Sequence, residues 1–504
     1  MRRDSTIFTV ALVFLLCTPL FAATFTVTKI ADTNDGTCDA DCSFREAVAA
    51  AVAAATDDEI VFDLSVFSTQ QTIILSGTEI VITANGTLAI NGPGADLLTI
   101  DGNSASRIIT INTATVSVDG ITFTGGNGVG ALNTGRGGAI YNAGGTTVIA
   151  NSIITDNSGV NGGGLNNAST GSPAVPGNLA LLNCIVSDNN ALTSSGGGMQ
   201  NFSTSTLIID RSLFLGNNSG GTTGGGGGQF NGIVRISNTT FANNTAPSGS
   251  GGGFQSNGSN QIYTNITVSG NSSLNNGGGI HRGTTNVNFW IRNSIVSGNN
   301  GTAASPDVTN SSGGLVSEGT NIVGITGTST GWIGSDLLDT DPLLLPLADN
   351  GGFSQSFLPM TGSPAINGGQ NCVTDLSCAS NNPPFALTED QRGSARLVDG
   401  TIDIGAVETA AGPATVSGTV QTSSGTPRQP VYVSISDGGG VVQTVRTNGF
   451  GRFVFVDIPT GVTYTISASA KGFAFGDEDV EVNGDVTGVV VTENVLSPAV
   501  SDKK

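Results

Sequence analysis

Apolar and polar residues alternate in short runs that recur about every 27 residues through the middle of the chain. Each of six repeats contains a glycine-rich segment, the first being GGAIYN (137–142) and the last GGGIHR (277–282), and ends at an asparagine. The closing asparagines are Asn157, Asn189, Asn217, Asn244, Asn271 and Asn299. A period of this length predicts stacked units that share one continuous core.

Two apolar columns bracket a central polar residue in each repeat. One apolar residue stands two positions before the central residue and another stands three positions after it. The central residues are Asn151, Asn183, Arg211, Asn238, Asn265 and Asn293. The columns are Ile149, Leu181, Ile209, Ile236, Tyr263 and Ile291, and then Ile154, Val186, Phe214, Phe241, Val268 and Val296. This offset breaks the alternation of one straight strand, so the chain must bend at the central residue for both columns to face inward.

These features predict an all-β protein in which residues 59–340 form a right-handed parallel β-helix. The central asparagines make one corner of each coil, where their amides can hydrogen bond along the stack at a spacing of about 4.8 Å. The GGG segment supplies the second corner because glycine tolerates positive φ. Each coil is therefore expected to contain three short strands.

The segment before the repeats, residues 24–58, is predicted to cap the N-terminal end of the stack. Ser43 and Glu46 have the spacing of a capping box, and an alanine-rich helical run follows at 47–55. A helix at this end would cover strand edges and apolar core that are otherwise open to water.

The segments after the repeats change character twice. Residues 341–411 are rich in loops and are predicted to close the far end of the stack. Residues 412–496 contain alternating strands separated by regular turns, which predicts a small antiparallel β-sandwich. Residues 497–504 are left as a tail.

The first 23 residues have the pattern of a secretory signal peptide. Arg2 and Arg3 precede an apolar run at 7–16, and Ala22 or Ala23 offers a small cleavage residue. The apolar run is too short to span a membrane. We therefore expect a secreted or cell-surface protein, without a membrane span and monomeric.

The charge of the chain argues against nucleic acid as a partner. Its 504 residues include 18 basic and 38 acidic side chains, a formal net charge of −20. Such a surface repels phosphate backbones.

The cysteines fall into two close pairs and one single residue. In an exported protein, Cys38 with Cys42 and Cys372 with Cys378 are predicted to form two short-loop disulfides. Metal binding is the alternative, although no histidine lies near either pair. Cys184 takes the place of serine or threonine in other repeats, which favours a packed thiol over a nucleophile.

Four segments resemble known families of exported bacterial proteins. CDADCSFREAV (38–48) resembles the cysteine-serine-leucine-arginine-glutamate-alanine (CSLREA) domain, with Phe44 where leucine is usual. The repeats at 59–340 resemble the pectin lyase-like superfamily, and residues 341–408 resemble the choice-of-anchor domain. Residues 414–494, with SGTV, TNGFGRFVF and YTISASAKGF, resemble the carboxypeptidase regulatory-like domain, a transthyretin-type sandwich similar to carbohydrate-binding folds. These resemblances imply a bacterial surface protein and no single activity.

The catalytic residues that the pectin lyase-like resemblance implies are scarce in this chain. Enzymes of that superfamily use a lysine or arginine base, often with calcium held by aspartates, or clustered aspartates with a histidine and an Arg-x-Lys segment. Here the one histidine is His281, and no lysine lies between Lys29 and Lys471. We therefore expect no enzymatic activity and no required cofactor. His281 follows the inward Ile280, so we expect it to be an exposed, outward side chain.

Asp156 and Asp188 occupy the same position in adjacent coils. Stacking would bring the two carboxylates within roughly 5 Å, the separation of a retaining glycosidase pair. They could also hold a calcium ion, because hard cations prefer carboxylate oxygens. The competing interpretation, which we favour, is a pair of solvated turns.

The residues three positions before the bend face outward, and two of them suggest a sugar-binding strip. Arg235 and Trp290 are predicted to lie two coils apart, about 10 Å. An exposed tryptophan can stack on a sugar ring while the arginine bonds its hydroxyls. The alternative is that a loop such as 168–177 covers this strip.

Three functions remain open at this point because fold alone does not dictate activity. The favoured hypothesis is a non-catalytic secreted or cell-surface protein for adhesion or glycan binding. A polysaccharide lyase or glycoside hydrolase is the alternative, and it would require Asp156, Asp188, Asp210, Arg211 or Arg235 to converge in one groove. The third hypothesis is a structural spacer that holds the sandwich away from the cell.

Overall fold

The computed structural model describes residues 23–494, apart from residues 84, 259, 284–288, 303–305, 311–313, 361, 379, 381, 399, 410–413, 429, 460–461 and 483–485. The predicted signal peptide (1–23) lies outside the described residues except for Ala23, and the predicted tail (497–504) lies outside them entirely.

Three long sheets wind around one core as a parallel β-helix, as the repeat predicted. The 11 strands of sheet A are Ala23–Val27, Asp58–Phe62, Thr87–Asn91, Thr115–Asp119, Thr146–Ala150, Asn178–Leu182, Thr206–Asp210, Ile233–Ser237, Gln261–Thr264, Phe289–Arg292 and Leu315–Ser317. The 11 strands of sheet B are Gln71–Ile74, Leu98–Asp101, Thr122–Thr124, Ile153–Thr155, Ile185–Ser187, Leu213–Leu215, Thr240–Ala242, Thr267–Ser269, Ile295–Ser297, Ile322–Val323 and Leu337–Leu338. The 9 strands of sheet C are Ile80–Thr83, Ile109–Asn112, Ile140–Ala143, Leu165–Ala168, Met199–Asn201, Gly228–Phe230, Phe254–Ser256, Ile280–Arg282 and Val308–Asn310.

Both predicted apolar columns lie inside this β-helix. Ile149 pairs with Leu181 in sheet A, and Ile154 pairs with Val186 in sheet B. Every member of the two columns is at most 2% exposed. Full burial of such a side chain contributes about 1.5–3 kcal/mol, so both columns stabilise the β-helix.

The corner between sheets A and B uses the left-handed backbone conformation at each central residue. Asn151 has a φ of 47° and Arg211 one of 51°, a region that asparagine enters more readily than most residues. Asn183 Nδ2 donates to Asn151 Oδ1 at 2.7 Å, as predicted. The column is nevertheless broken at Arg211, and Asn238 Nδ2 donates instead to Asp210 Oδ1 at 3.1 Å.

A fourth, short sheet corrects the expectation of three strands in each coil. Sheet D follows sheet B in the central coils and consists of Ser158–Gly159, Asn190–Ala191, Asn218–Ser219, Thr245–Ala246 and Ser272–Ser273. The glycine-rich segment then turns the chain into sheet C, where Gly162 has a φ of 69°. A Cβ on Gly163 would lie 2.3 Å from the carbonyl oxygen of Gly197, so the close stacking of coils requires glycine there.

The closing asparagines form a second, continuous column inside the β-helix. Each side-chain Nδ2 from Asn157 to Asn271 donates to the Oδ1 of the next asparagine in the column, at 2.8–3.0 Å. The same Oδ1 atoms accept from the backbone N–H of the preceding asparagine. The last member, Asn299, donates to Asp307. The column satisfies buried polar groups at the turn after sheet B.

Helix α1 (Phe44–Ala53) packs over the first coils, as predicted for the N-terminal cap. It begins before the alanine-rich run because Ser43 caps it: Ser43 Oγ accepts from the Glu46 N–H at 3.1 Å, and Glu46 Oε2 accepts from the Ser43 N–H at 2.7 Å. The ring of Phe44 lies 5.8 Å from that of Phe62 in sheet A. A short helix, α2 (Leu64–Phe67), follows.

The segment that was expected to close the far end lies instead along one flank of the β-helix. We call residues 341–411 the flank segment; it contains α3 (Cys372–Asp375). Asn265 Nδ2 donates to the carbonyl of Asp403 at 3.1 Å, and Asn293 Oδ1 accepts from the Gln370 N–H at 3.0 Å. Ala365 and Ile404 of the flank segment also pack against Ile295 and Ile322 of sheet B, so apolar burial stabilises this position together with the hydrogen bonds. The end of the core is contacted by Trp332, which precedes the flank segment.

Residues 414–494 form a β-sandwich with its own core. Sheet E contains, in spatial order, Arg452–Ile458, Ala414–Gln421, Val486–Asn494 and Ala474–Phe475. Sheet F contains, in spatial order, Val441–Arg446, Tyr432–Ser436, Val462–Ser469 and Glu478–Val482. The pairing is antiparallel except between Ala414–Gln421 and Val486–Asn494, which run parallel. The buried residues include Val416, Phe455 and Ile466. Within the described part of the chain, no helix has the length and apolar character needed to cross a membrane.

Candidate functional site

The outer face of sheet A carries the predicted strip, but only one of its two sugar-binding residues is available. Arg235 pairs with Ile262, which pairs with Trp290, so the strand register is as expected. Arg235 is only 8% exposed, and its guanidinium donates to the carbonyl of Val234 at 2.9 Å and to that of Asn260 at 2.7 Å. Its geometry therefore favours a structural role. Trp290 is partly exposed and remains the candidate platform.

The other end of this strip is covered, although not by the loop at 168–177. Val148, Ala180 and Ile208 form a small buried cluster on the outside of sheet A. We call the described part of residues 376–389 of the flank segment the strap. Leu376 and residues 384–389 of the strap lie opposite Ala180 and Ile208, with a cavity of about 500 Å³ between strap and sheet. The covering segment lies more than 160 residues further along the sequence than Ile208, so no local pattern announced it.

Asp156 and Asp188 lie side by side in adjacent coils, at the turn after sheet B. Both are exposed and have left-handed φ values of 54° and 53°. Partial burial, and next the charge of Asp156, raise the pKa of Asp188 above its ordinary value. Among the described residues, no three His, Cys, Asp or Glu side chains are grouped so as to hold a metal. Within the described residues, the side chains that could bind calcium at this turn are therefore the two carboxylates of Asp156 and Asp188.

His281 is buried, which corrects the expectation of an exposed side chain. It points outward from sheet C as expected, but it is 8% exposed and its Nδ1 lies 2.8 Å from Thr309 Oγ1. It extends a column of buried glutamines, in which Gln229 Nε2 donates to Gln255 Oε1 at 3.1 Å. Burial, and next the charge of Arg282, lower the pKa of His281 to about 4.

The cysteines take the predicted arrangement. Cys38 is bonded to Cys42, and Cys372 to Cys378. Cys184 is a fully buried thiol, and burial raises its pKa to about 12. A thiol in this state is a poor nucleophile.

The acidic and basic residues of the enzyme hypothesis lie at two different corners. Asp210 and Arg211 stand at the corner between sheets A and B, where Arg211 contacts Glu389 of the strap. Asp156 and Asp188 stand at the opposite end of the sheet B strands. A strand advances about 3.3 Å per residue, so the full width of sheet B separates the two pairs.

Sequence reasoning missed two polar features that matter here. One is the closing asparagine column, whose signal was an identical residue in six repeats. The other is the contact between Arg211 and Glu389, which joins the β-helix to the strap. The sequence marks Arg211 as the exception to the asparagine pattern and as a candidate of the enzyme hypothesis, but it gives no sign of the distant partner Glu389.

Comparison with known proteins finds a family match for one part of the chain. A search of curated proteins found no match for this sequence. The resemblances of residues 38–48, 59–340 and 341–408 to named families stay predictions. Residues 415–493, which form most of the β-sandwich, match the model of the carboxypeptidase regulatory-like domain.

Proposed function

We propose that this protein is a non-catalytic secreted or cell-surface β-helix protein that binds a glycan, with Trp290 as the stacking platform. The β-helix and the carboxypeptidase regulatory-like domain are compatible with a surface protein without catalytic activity.

The observation that carries the proposal is the partly exposed position of Trp290 on the outer face of sheet A. Its strand neighbours on either side are Ile262 and Val316, and Val316 is 37% exposed. The chain has two tryptophans, and the other, Trp332, packs against the core while its indole N–H donates to Ser329 Oγ at 3.0 Å. A partly exposed indole beside an apolar neighbour offers the face on which a sugar ring stacks.

The buried positions of the ionisable groups support the non-catalytic part of the proposal. Arg235 and His281 are held by neighbouring backbone or side-chain groups, and Cys184 is fully buried. The lyase or hydrolase alternative would need groups that act together, whereas Asp156 and Asp210 lie at different corners. The spacer hypothesis stays as a third candidate because a stacked rod is rigid.

A glycan array probed with residues 24–504 tests the proposal. We expect retention of at least one glycan class, its loss in Trp290→Ala and its partial recovery in Trp290→Phe, since phenylalanine keeps an aromatic face. Trp332→Phe is the matched control and should retain binding. Unchanged retention in Trp290→Ala would exclude this platform.

Two further assays separate the alternatives. Incubation with acidic and neutral polysaccharides, with and without calcium, should give no chain cleavage; turnover would defeat the non-catalytic proposal. The spacer hypothesis instead predicts no glycan retention by any variant.

A further inference from the structure

A cavity lies between the strap and sheet A and has no role in the function proposed above. Its volume is about 500 Å³, within the range of sites for small organic ligands. The apolar lining includes Ala180, Leu182 and Ile208 from sheet A and Leu376, Phe385 and Leu387 from the strap. The cavity is partly open to solvent, so a ligand can enter it from outside.

The strap is anchored on both sides of the cavity. On one side the hydroxyl of Thr264 donates to Asn382 Oδ1, and the disulfide Cys372–Cys378 closes the adjoining loop. On the other side the hydroxyl of Thr240 donates to Gln391 Oε1. These contacts hold the strap over the sheet, so the cavity is a built part of the fold.

One end of the cavity is polar and carries more negative than positive charge. Asp210, Arg211 and Glu389 all line it. Asp210 Oδ2 lies 3.4 Å from Arg211 Nε, and Arg211 Nη1 contacts Glu389 Oε2. A single guanidinium thus serves two carboxylates. Burial raises the pKa of Asp210, and its other oxygen, Oδ1, accepts from the hydroxyl of Ser237 and from Asn238 Nδ2.

The nearby Arg396 does not reverse this balance. It donates to Asn238 Oδ1 beside Asp210, but it is fully buried, is not among the residues that line the cavity, and also donates to the carbonyls of Gly405 and Ala406. An anionic ligand would have to take Arg211 away from a carboxylate and leave that carboxylate unpaired, which is costly. A cationic ligand would instead add the missing partner.

We propose that this cavity binds a small amphiphilic amine, with its apolar body between Ile208 and Phe385 and its ammonium group at Asp210 and Glu389. This site is independent of the Trp290 platform.

Calorimetric titration of residues 24–504 with octylammonium, octanoate and octanol tests the proposal. We expect saturable binding of octylammonium that is at least about tenfold tighter than that of the other two probes, because one charge-assisted contact supplies about that difference. Equal affinity for octanoate and octylammonium would overturn the charge argument. Saturable binding of octanol alone would also overturn it, since the site would then be merely apolar.

Two variants locate the binding. Glu389→Gln should weaken the binding of octylammonium about tenfold and leave the binding of octanol unchanged. Glu478→Gln, an exposed change in the sandwich, should alter the binding of neither probe.

Ala180→Leu fills the cavity and should abolish binding. Val148→Leu is its control, because it enlarges a neighbouring side chain that does not line the cavity. Circular dichroism checks that each variant folds, and if Ala180→Leu does not, Glu389→Gln still decides the outcome. Trp290→Ala should leave octylammonium binding intact.

Discussion

Asn299 donates its side-chain Nδ2–H to Oδ1 of Asp307, 2.9 Å away, at the end of the buried asparagine column. The same oxygen accepts from the Asn299 backbone N–H, and the other oxygen, Oδ2, accepts from the Ile325 N–H at 2.7 Å. A carboxylate offers only acceptors, whereas an asparagine offers one acceptor and one donor group. Asp307 can therefore end a column that an asparagine would have to continue.

Replacing Asp307 with asparagine should destabilise the β-helix by about 1–3 kcal/mol, the cost of a buried donor left without an acceptor. The new amide can satisfy either Asn299 or Ile325 and must turn its NH₂ toward the other. The urea midpoint at neutral pH should fall while the slope of the transition is unchanged. Asp96→Asn, an exposed change in an earlier coil, should stay within about 0.5 kcal/mol of wild type. Equal midpoints for the two variants would contradict this role of Asp307.

The inward columns could be predicted from the sequence because they are set by local rules. An offset of five between Ile149 and Ile154 specifies a bend whatever the neighbouring coil contains. The capping box of Ser43 and Glu46 is equally local, and so are the two disulfides in their short loops. These features depend on residues that are close in the sequence, and the structure confirms them.

The remaining features depend on contacts between distant parts of the chain. Asn299 and Asp307 are eight residues apart, but Asp307 acts as an acceptor only because it lies where the next coil would place an asparagine. Thr240 meets Gln391 across 151 residues, so the path of the strap could not be read from any periodic pattern. The burial of His281 likewise arises from glutamines that occupy equivalent positions in earlier coils.

His281 gives the fold a measurable sensitivity to acid. Burial lowers its pKa in the folded protein to about 4, below the ordinary value of 6.5. The stabilising contribution of the neutral ring is therefore complete above pH 6.5 and is lost as the pH falls toward 4. Because the chain has one histidine, its imidazole signals in NMR spectra report this titration directly.

We expect the folded protein to show a midpoint near pH 4 and the urea-unfolded chain one near 6.5. His281→Gln continues the glutamine column and should retain more of its neutral-pH stability at pH 5 than wild type does. A folded-state midpoint above 6 would mean that the ring is solvated, contrary to its position beside Thr309.

Cys184 should be inert toward thiol reagents while the protein is folded. Its thiol is fully buried with a pKa of about 12, so neither access nor ionisation favours attack. In the chain comprising residues 24–504, we expect no reaction with Ellman's reagent under native conditions and one equivalent in denaturant. Rapid labelling of the folded protein would contradict the packed position.

The stability of a Cys184 variant should depend on whether the new side chain carries a hydroxyl. Ser212, at the equivalent position of the next coil, donates its hydroxyl to the carbonyl of Asp210 at 2.9 Å. The Sγ atom of Cys184 lies 3.4 Å from the corresponding carbonyl oxygen of Leu182. Cys184→Ser can make the same bond, whereas Cys184→Ala cannot and also leaves a small void. The alanine variant should therefore unfold at lower urea concentration than the serine variant.

Glu408 should make the docking of the flank segment weaker as the pH rises. Its Oε2 accepts from the Asp403 N–H at 2.8 Å, and its Oε1 accepts from the Val398 N–H at 3.3 Å. Oε2 also lies 3.7 Å from Arg396, which in turn contacts Asn238 of the β-helix. Burial raises its pKa to about 8; the charge of Arg396 opposes this shift and that of Asp403 adds to it. The folded state thus binds more protons than the unfolded chain between pH 4.5 and 8. The stability from this group is complete below pH 4.5 and is lost as the pH rises through 8, with a slope of at most about 1.4 kcal/mol per pH unit.

The measurement is the free energy of unfolding between pH 5 and 8.5, followed by tryptophan fluorescence in a Trp290→Phe background. The remaining tryptophan is then Trp332, which packs against the core just before the flank segment. Glu408→Gln has no charge to lose and should flatten the decline over this range, since its amide oxygen still accepts one of the two backbone bonds. Glu478→Gln is the matched control, an exposed glutamate of the sandwich whose loss should leave the wild-type profile in place. If Glu408→Gln declined as steeply as wild type, Glu408 would be ionised in the fold and the pair with Arg396 would hold the flank segment at all pH values tested.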